Sequence, residues 1–355
     1  MKTSFISSYT LANNQRSIAA QIQKDLSKNT TEATTGRYAD VGLELGNRAG
    51  KPVALRAESA KLEALIDSND IVLSSMSVAQ LGLQALREGA DVFKDSLLSV
   101  PGQNRDASVL VDEAEMALAT FYGAMNGTDG SRYLFSGLNS DVAPIVEYDA
   151  AVGADGVSPG PEALVDTAFA TYMAGLVPPV TDTADLTAAQ MQSFLDNEFA
   201  ALFDDTNWSQ TWSTATDEGR TNQISTTERA TTSLSANEDP FRQILMAYTM
   251  VAKLDTANLN TDALETVMAQ AEKVIVAAYS NVSDLEARLG NVESRVAAAS
   301  NQMDLKVDVI AEQIDIYEGV DAAEAKTRID MLTTQLEMSY SLTNRLLTLS
   351  ILDYA

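Results

Sequence analysis

Fifteen apolar side chains, Val267, Ala271, Val274, Ala278, Val282, Leu285, Leu289, Val292, Val296, Ala299, Met303, Val307, Ile310, Ile314 and Tyr317, recur at a mean spacing of about 3.6 residues along this chain. A strand alternates its side chains with period two and cannot present such a stripe. The spacing lies between the ~3.5 of a supercoiled seam and the ~3.6 of a straight helix, which predicts one long helix with little supercoil. Gly290 interrupts it at a cost of ~1 kcal/mol against Ala and is expected to mark a bend. Gly319 ends it. Asp321, with Glu324 three residues on, has the form of an N-cap and capping-box pair, opening a last helix through Ile329, Leu332, Leu336 and Leu346.

The other end of the chain has the same character. Phe5, Tyr9, Ala12, Ala19, Ile22 and Leu26 lie near three-four spacing, and Gly36 stops them. A glycine-bearing loop with Gly42, Gly46 and Gly50 follows, then Pro52, a residue tolerated in the first turn of a helix. From Leu55 through Leu62, Ile66, Leu73, Met76, Ala79, Leu83, Leu86, Ala90 and Phe93 to Leu97 one apolar face persists, enough for a helix of roughly 65 to 70 Å. Pro101 and Gly102 break it. A third helix is expected over 106–126, with Ala114, Leu118, Phe121 and Met125 on its face.

A stripe at each end of the chain needs something to cover it. The simplest cover is the stripe at the other end, so the first and last helices are expected to pair. Two helices bury little between them, and such a pair leaves an apolar seam open to neighbouring copies. The fold class that follows is mainly α, with long antiparallel helical rods made from both chain ends and a small mixed β/α domain inserted between them.

The inserted part, 138–240, differs in composition. It holds seventeen acidic residues and two basic ones, Arg220 and Arg229, so most of the chain's net charge of −26 falls there. Gly and Pro cluster in 153–161, a brief helix is expected over 187–203, and the Thr- and Ser-rich stretch 208–237 favours short strands and turns.

The same composition excludes several functions. The 355 residues include no cysteine and no histidine, which removes disulfides, thiol nucleophiles, thiolate zinc sites and the usual general base. An excess of 50 acidic over 24 basic residues opposes binding to nucleic-acid phosphates or anionic membranes. No run approaches the ~18 apolar residues of a membrane helix, and the first residues lack the apolar stretch of a cleaved signal. Asp204 with Asp205, and Asp217 with Glu218, lack the spaced oxygen ligands of a calcium loop and are read as solvated faces. Trp208 and Trp212, four apart, are read as packing residues rather than a sugar platform. No catalytic residue, cofactor or metal ligand is expected.

Two segments carry a resemblance. The stretch 32–42, EATTGRYADVG, with Thr35, Gly36 and Arg37, and the stretch 131–144, SRYLFSGLNSDVAP, with Arg132, Tyr133, Phe135, Gly137 and Pro144, resemble the flagellin superfamily. Within it they resemble the hook-associated protein 3 family of hook-filament junction proteins, as does the ending LSILDYA. The early turn departs from the family's usual Asp-Asp-Pro continuation, offering Glu44 and Pro52 instead.

The resemblance implies a structural axial protein of the bacterial flagellum, not an enzyme, exported unfolded by a type III route and residing outside the cell at the hook-filament junction. It implies three parts: an inner tube from 1–45 with 300–355, a long-helix shaft from 46–137 with 241–299, and the acidic outer domain 138–240. Assembly would run through Phe5, Tyr9, Ile22, Leu26, Leu336, Leu346, Ile351 and Tyr354. The implied partners are further copies of the chain in a ring or helical layer, a hook-side axial protein, flagellin, the export apparatus and an export chaperone. The terminal helices are expected to order only on assembly. Competing readings are a flagellin that forms the filament itself and a secreted coiled-coil binding module.

Overall fold

The computed structural model describes residues 8–99 and 107–352. The helices, in chain order, are α1 (Ser8–Thr35), α2 (Val41–Leu45), α3 (Gly50–Ser99), α4 (Ala107–Met125), α5 (Pro161–Gly175), α6 (Ala188–Phe194) and α7 (Asp205–Asn207), then α8 (Asp239–Lys253), α9 (Thr261–Glu318) and α10 (Ala322–Leu352). Two strands, β1 (Thr221–Gln223) and β2 (Arg229–Thr231), pair antiparallel with Asn222 opposite Ala230. The fold is therefore mainly α, with long helices from both chain ends and a small sheet between them.

The apolar stripes predicted these helices because they run along the faces the helices turn inward, although Val274, Val292 and Val307 on α9 and Ile329, Leu332 and Leu336 on α10 are only half-buried. Along α9, Val267, Ala271, Ala278, Val282, Leu285, Leu289, Val296 and Met303 are buried, and the helix continues through Gly290 without a break. Along α4, Ala114, Leu118, Phe121 and Met125 are buried as a single face. The chain divides into two compact units, one of 1–64 with 302–355 and one of 65–301. Helices α3 and α9 contribute residues to both.

The unit of residues 65–301 has one continuous core, reaching from Val72 through α3, α4, α8 and α9 to Leu289. The acidic insert shares this core. Its aromatic rings form a run in contact, Phe169 to Phe194 at 4.9 Å, Phe199 to Phe203 at 5.3 Å, and Phe203 stacked on Trp212 at 4.8 Å. Trp208 and Trp212 are packing residues, as their spacing suggested: both are buried, and their indole N–H groups donate to Asn237 Oδ1 and to the Leu202 carbonyl, each at 2.9 Å. A hairpin this short is marginal alone. Here Ile224 and Ala230 pack with Val296 and Ala299, and the buried Asn69 donates to the Ile224 carbonyl at 2.8 Å and to Ser300 Oγ at 3.0 Å.

Several local expectations are corrected. The region 36–50 holds the short helix α2, because the Asp40 carboxylate accepts from Leu43 N–H at 2.9 Å and caps it. Trp208–Trp212 forms a single π-helical turn, not strand, following the Asp204 cap on Asn207. The helix at 187 starts on a complete capping box between Thr187 and Gln190, and gives way to a π turn at Leu195–Phe199. At α10 the box is half made: Asp321 accepts from Ala323 N–H at 2.8 Å and Glu324 N–H at 3.3 Å, while the Glu324 side chain pairs forward with Arg328. Helix α5 went unread in the sequence, although Pro161 in its first turn is a start signal.

Gly290 sits in regular helix, and a Cβ there would meet only Gln80 Nε2 at 3.7 Å, an ordinary contact. Gly290→Ala is expected to stabilise the protein by roughly 0.5 to 1 kcal/mol and raise the melting temperature by about 1 to 4 °C. A lower melting temperature in a calorimetric scan would show that the glycine is needed there.

Candidate assembly surface

The terminal unit is closed by a turn. Helix α1 ends at Thr35, and Gly36 follows in the left-handed region with φ +69°, its N–H donating to the Glu32 carbonyl at 2.9 Å. That is the usual way a glycine terminates a helix without Cβ strain. The chain then pairs with the link between α9 and α10: Arg37 and Gly319 form an antiparallel bridge, Tyr38 N–H donates to the Glu318 carbonyl at 3.0 Å, and Val320 N–H donates to the Gly36 carbonyl at 2.8 Å. Further along, Gln23 Nε2 donates to Tyr340 Oη at 2.6 Å. Partner numbers fall on one helix as they rise on the other, so α1 and α10 run antiparallel, as expected for the two chain ends.

Charge is buried at this turn. Glu318 is fully buried and forms an ion pair with Arg56. Glu32, 2% exposed, accepts from Ala39 N–H at 3.2 Å and lies 3.8 Å from Lys28, which also binds Glu44 at 2.5 Å. The hydrogen bond to Glu44, aided by the surrounding carboxylates, holds the Lys28 ammonium above its usual pKa despite partial desolvation. Of the residues taken from the resemblance, Gly36 and Arg37 tie the end of α1 to the start of α10, while Thr35 bonds locally, its hydroxyl donating to the Thr31 carbonyl at 2.8 Å.

Apolar residues in this unit are poorly covered. Among the described residues, five of the buried apolar side chains belong to it, Leu62, Met303, Ile310, Ile314 and Ala325, against 52 in the other unit. Helix α9 here carries two stripes on opposite sides. Met303, Ile310 and Ile314 face inward, whereas Leu305, Val309 and Ile316 are 67%, 52% and 75% exposed. On α10, Met331, Met338 and Leu342 form a further exposed stripe at seven and four residue steps.

The predicted assembly residues fall into three groups. Ile22 and Leu26 on α1 and Leu336 on α10 are half-buried. Tyr9, Leu346 and Ile351 lie within α1 and α10, with side chains outside the described residues, and Phe5 and Tyr354 lie outside the described residues altogether. The exposed stripes on α9 and α10 were missed. A second three-four pattern, offset by two residues from the first, was the available signal.

The second family segment belongs to the other unit. Arg132 is exposed, and its N–H, like that of Ser131, donates to Asp129 Oδ1 in a tight turn. Burial opposes ionisation of Asp129, but these two N–H donors and the Ser75 hydroxyl hold its carboxyl below the usual pKa. Tyr133 N–H donates to the Ser140 carbonyl at 2.9 Å, the Phe135 carbonyl accepts from Ala236 N–H at 2.7 Å, and the buried Pro144 accepts from Thr214 N–H at 3.0 Å. The Phe135 ring meets Phe241 edge-on at 5.6 Å. Gly137, at φ +66°, lies so close to the 216–218 strand of chain that a Cβ would sit 2.4 Å from the Thr216 carbonyl oxygen. The segment therefore laces the end of α4 to the far side of the insert.

The acidic pairs singled out in the sequence are engaged in local contacts. Asp204 caps Asn207, Asp205 pairs with Arg242 at 2.5 Å, and Asp217 accepts from Asn237 at 2.7 Å. Among the described residues no group of three His, Cys, Asp or Glu side chains is placed to hold a metal, and no helix is long and apolar enough to cross a membrane.

Two family models match the chain. Residues 6–126 match the bacterial flagellin N-terminal helical region, and residues 272–355 match the bacterial flagellin C-terminal helical region. A solved structure from Vibrio parahaemolyticus, named as a candidate flagellar hook-associated protein, shares the fold with a TM-score of 0.51 at 10% sequence identity, covering 76% of this chain and 96% of its own. No curated protein matches at a significant level.

The two motif glycines predict different costs. Gly36→Ala meets nothing within 4 Å and pays only for φ, ~1 kcal/mol, whereas Gly137→Ala adds a backbone clash and is expected to cost roughly 2 to 4 kcal/mol. Urea melts should separate them in that order for Gly137→Ala, and faster hydrogen exchange at Tyr38 and Val320 should report Gly36→Ala. Equal effects would remove the distinction.

Proposed function

We propose that this chain, which belongs to the bacterial flagellin family, is a structural axial protein that joins hook to filament by helical assembly through its terminal helices. Proteins of this family are structural components of the flagellum and polymerise. The observation that supports this role most directly is the terminal unit's surplus of apolar surface, with Leu305, Val309 and Ile316 on α9 and Met331, Met338 and Leu342 on α10 exposed. A face that one chain cannot cover is covered by another. Contacts made head to tail between different faces do not close on themselves, so copies add along a helical path.

In this reading 1–45 with 300–355 form the inner tube, 46–137 with 241–299 the shaft, and 138–240 the acidic outer domain. Phe5, Tyr9, Ile22, Leu26, Leu336, Leu346, Ile351 and Tyr354 act in assembly together with the exposed stripes. The neighbours are further copies, a hook-side axial protein and flagellin, and the chain reaches the cell exterior unfolded through the flagellar export apparatus with a chaperone. It catalyses nothing. The junction role rests on segments 131–144 and 349–355 and agrees with the name borne by the Vibrio structure. The match to both flagellin helical regions favours a filament subunit as the second reading.

Electron microscopy of a strain lacking the gene separates the two. Naked hooks with flagellin released to the medium are expected for a junction protein; hooks bearing normal filaments would sink it, and loss of all flagellin would favour the filament subunit. Complementation with Met331→Asp combined with Met338→Asp should give a chain that is exported with unchanged urea stability but fails to assemble. Limited proteolysis of the monomer should cut both ends early and spare about 55 to 290.

A further inference from the structure

The net charge of −26 is unevenly shared along the chain. Residues 65–301 carry 34 acidic and eleven basic side chains, whereas residues 1–64 carry six acidic and nine basic ones. A net-positive stretch therefore sits in a strongly negative protein. It includes the corner that α2 makes with the start of α3.

Two large apolar side chains in this corner face water, Leu43, 74% exposed, and Val53. The nearby carboxylates are spent within the chain: Asp40 caps α2 through Leu43 N–H, and Glu44 binds Lys28. Arg56 is likewise paired, with Glu318. Arg48 and Lys51 are exposed and, among the described residues, their side chains have no hydrogen-bond or ion-pair partner. The corner thus offers apolar surface edged by two unpaired cations.

The unit of 65–301 presents the reverse arrangement. A cleft of 370 Å³ lies between α3 and α4, floored by Gly89 and Ala117, with Val92 and Met116 exposed beside it. The charged groups that line it are both carboxylates, Glu88 on α3 and Glu113 on α4. Glu88 accepts from Gln84 Nε2 at 2.8 Å, and Glu113 has no partner among the described residues. Exposed apolar surface of this kind is covered by something.

We propose that the α2–α3 corner of one copy docks into the α3–α4 cleft of the next, with Leu43 seated between Val92 and Met116 and with Arg48 and Lys51 against Glu88 and Glu113. Charge selects this pairing. Cleft against cleft would set Glu88 and Glu113 against their own copies, corner against corner would do the same to Arg48 and Lys51, and facing like charges oppose association. Corner against cleft joins opposite charges. It also joins two different faces that every copy carries, so the contact is heterologous and repeats without closing. The apolar side chains supply the attraction, and the rim charges, which salt screens, choose the face. This inference rests on the assembly role proposed above and names the faces that meet.

The chain has no cysteine, so introduced thiols report the contact without background. Full-length Leu43→Cys and Met116→Cys chains, differently tagged, are co-expressed in the deletion strain, and isolated flagella are treated with a short bismaleimide. A dimer carrying both tags is expected. Leu43→Cys with Val177→Cys, an exposed site at the far end of α5, should give none. Arg48→Glu with Lys51→Glu should melt in urea as the unaltered chain does yet enter flagella roughly tenfold less. Adding Glu88→Lys and Glu113→Lys to the same chain should restore entry to within about twofold. Chains present in flagella without the mixed dimer, an equal yield with Val177→Cys, or a reversal that the compensating pair leaves unrescued at an unaltered urea melt overturns the docking while the assembly role stands. Absence of the unaltered chain from flagella overturns both.

Discussion

A helix can remove from water only the stripe that a partner covers, and that limit governs both halves of this protein. In the unit of 65–301, α3, α4, α8 and α9 meet around one core, and the insert adds its aromatic rings to it. Most of the buried apolar side chains of the protein lie there, although Ile71, Leu81 and Met116 on the outer faces of its helices stay exposed. The terminal unit has α1 and α10 with the ends of α3 and α9, and a stripe on one side of α9 consumes what cover exists. The opposite stripe stays exposed. Burial is worth about 25 cal/mol per Å² of apolar surface, so neighbouring copies can supply what the single chain lacks.

The polar interactions set geometry more than they add stability. Glu318 is buried against Arg56, and one of its oxygens has no partner. A buried pair of this sort is poor evidence for stability, since desolvation consumes most of the attraction. Together with the hydrogen bonds from Tyr38 and Val320, it fixes where α1 stops relative to α10. Likewise Gly137 permits a backbone approach that no other residue allows, and Phe135 and Pro144 on either side accept hydrogen bonds from the distant 214 and 236 backbone. Both segments that carry the family resemblance stitch distant parts of the chain together through their backbones.

Much of this was legible along the chain because helices are local. Periodicity marked α3, α4, α9 and α10, glycine marked the stops at Gly36 and Gly319, and the Trp pair proved to be core. The elements that escaped notice depend on contacts remote in sequence. The π turn at Trp208–Trp212 presents both rings to Phe203, Asn237 and Leu202, and nothing in a Thr- and Ser-rich stretch announces that. Helix α2 is five residues long, too short for a period to show, and rests on the single Asp40 cap.

By itself the sequence determined that the chain is built from long helices, that its two ends pair, that its negative charge gathers in one insert, and that chemistry relying on thiols and imidazoles is closed to it. Composition and a 3.6-residue period suffice for each of those, because they depend on residues near one another. Only the tertiary structure decided which stripes are spent inside the chain and which remain outside, since an apolar face looks the same in sequence whether or not something covers it. It also decided that Glu88 and Val92 of α3 and Glu113 and Met116 of α4 border one cleft. Their meeting follows from how α3 and α4 pack, and no spacing along the chain encodes it.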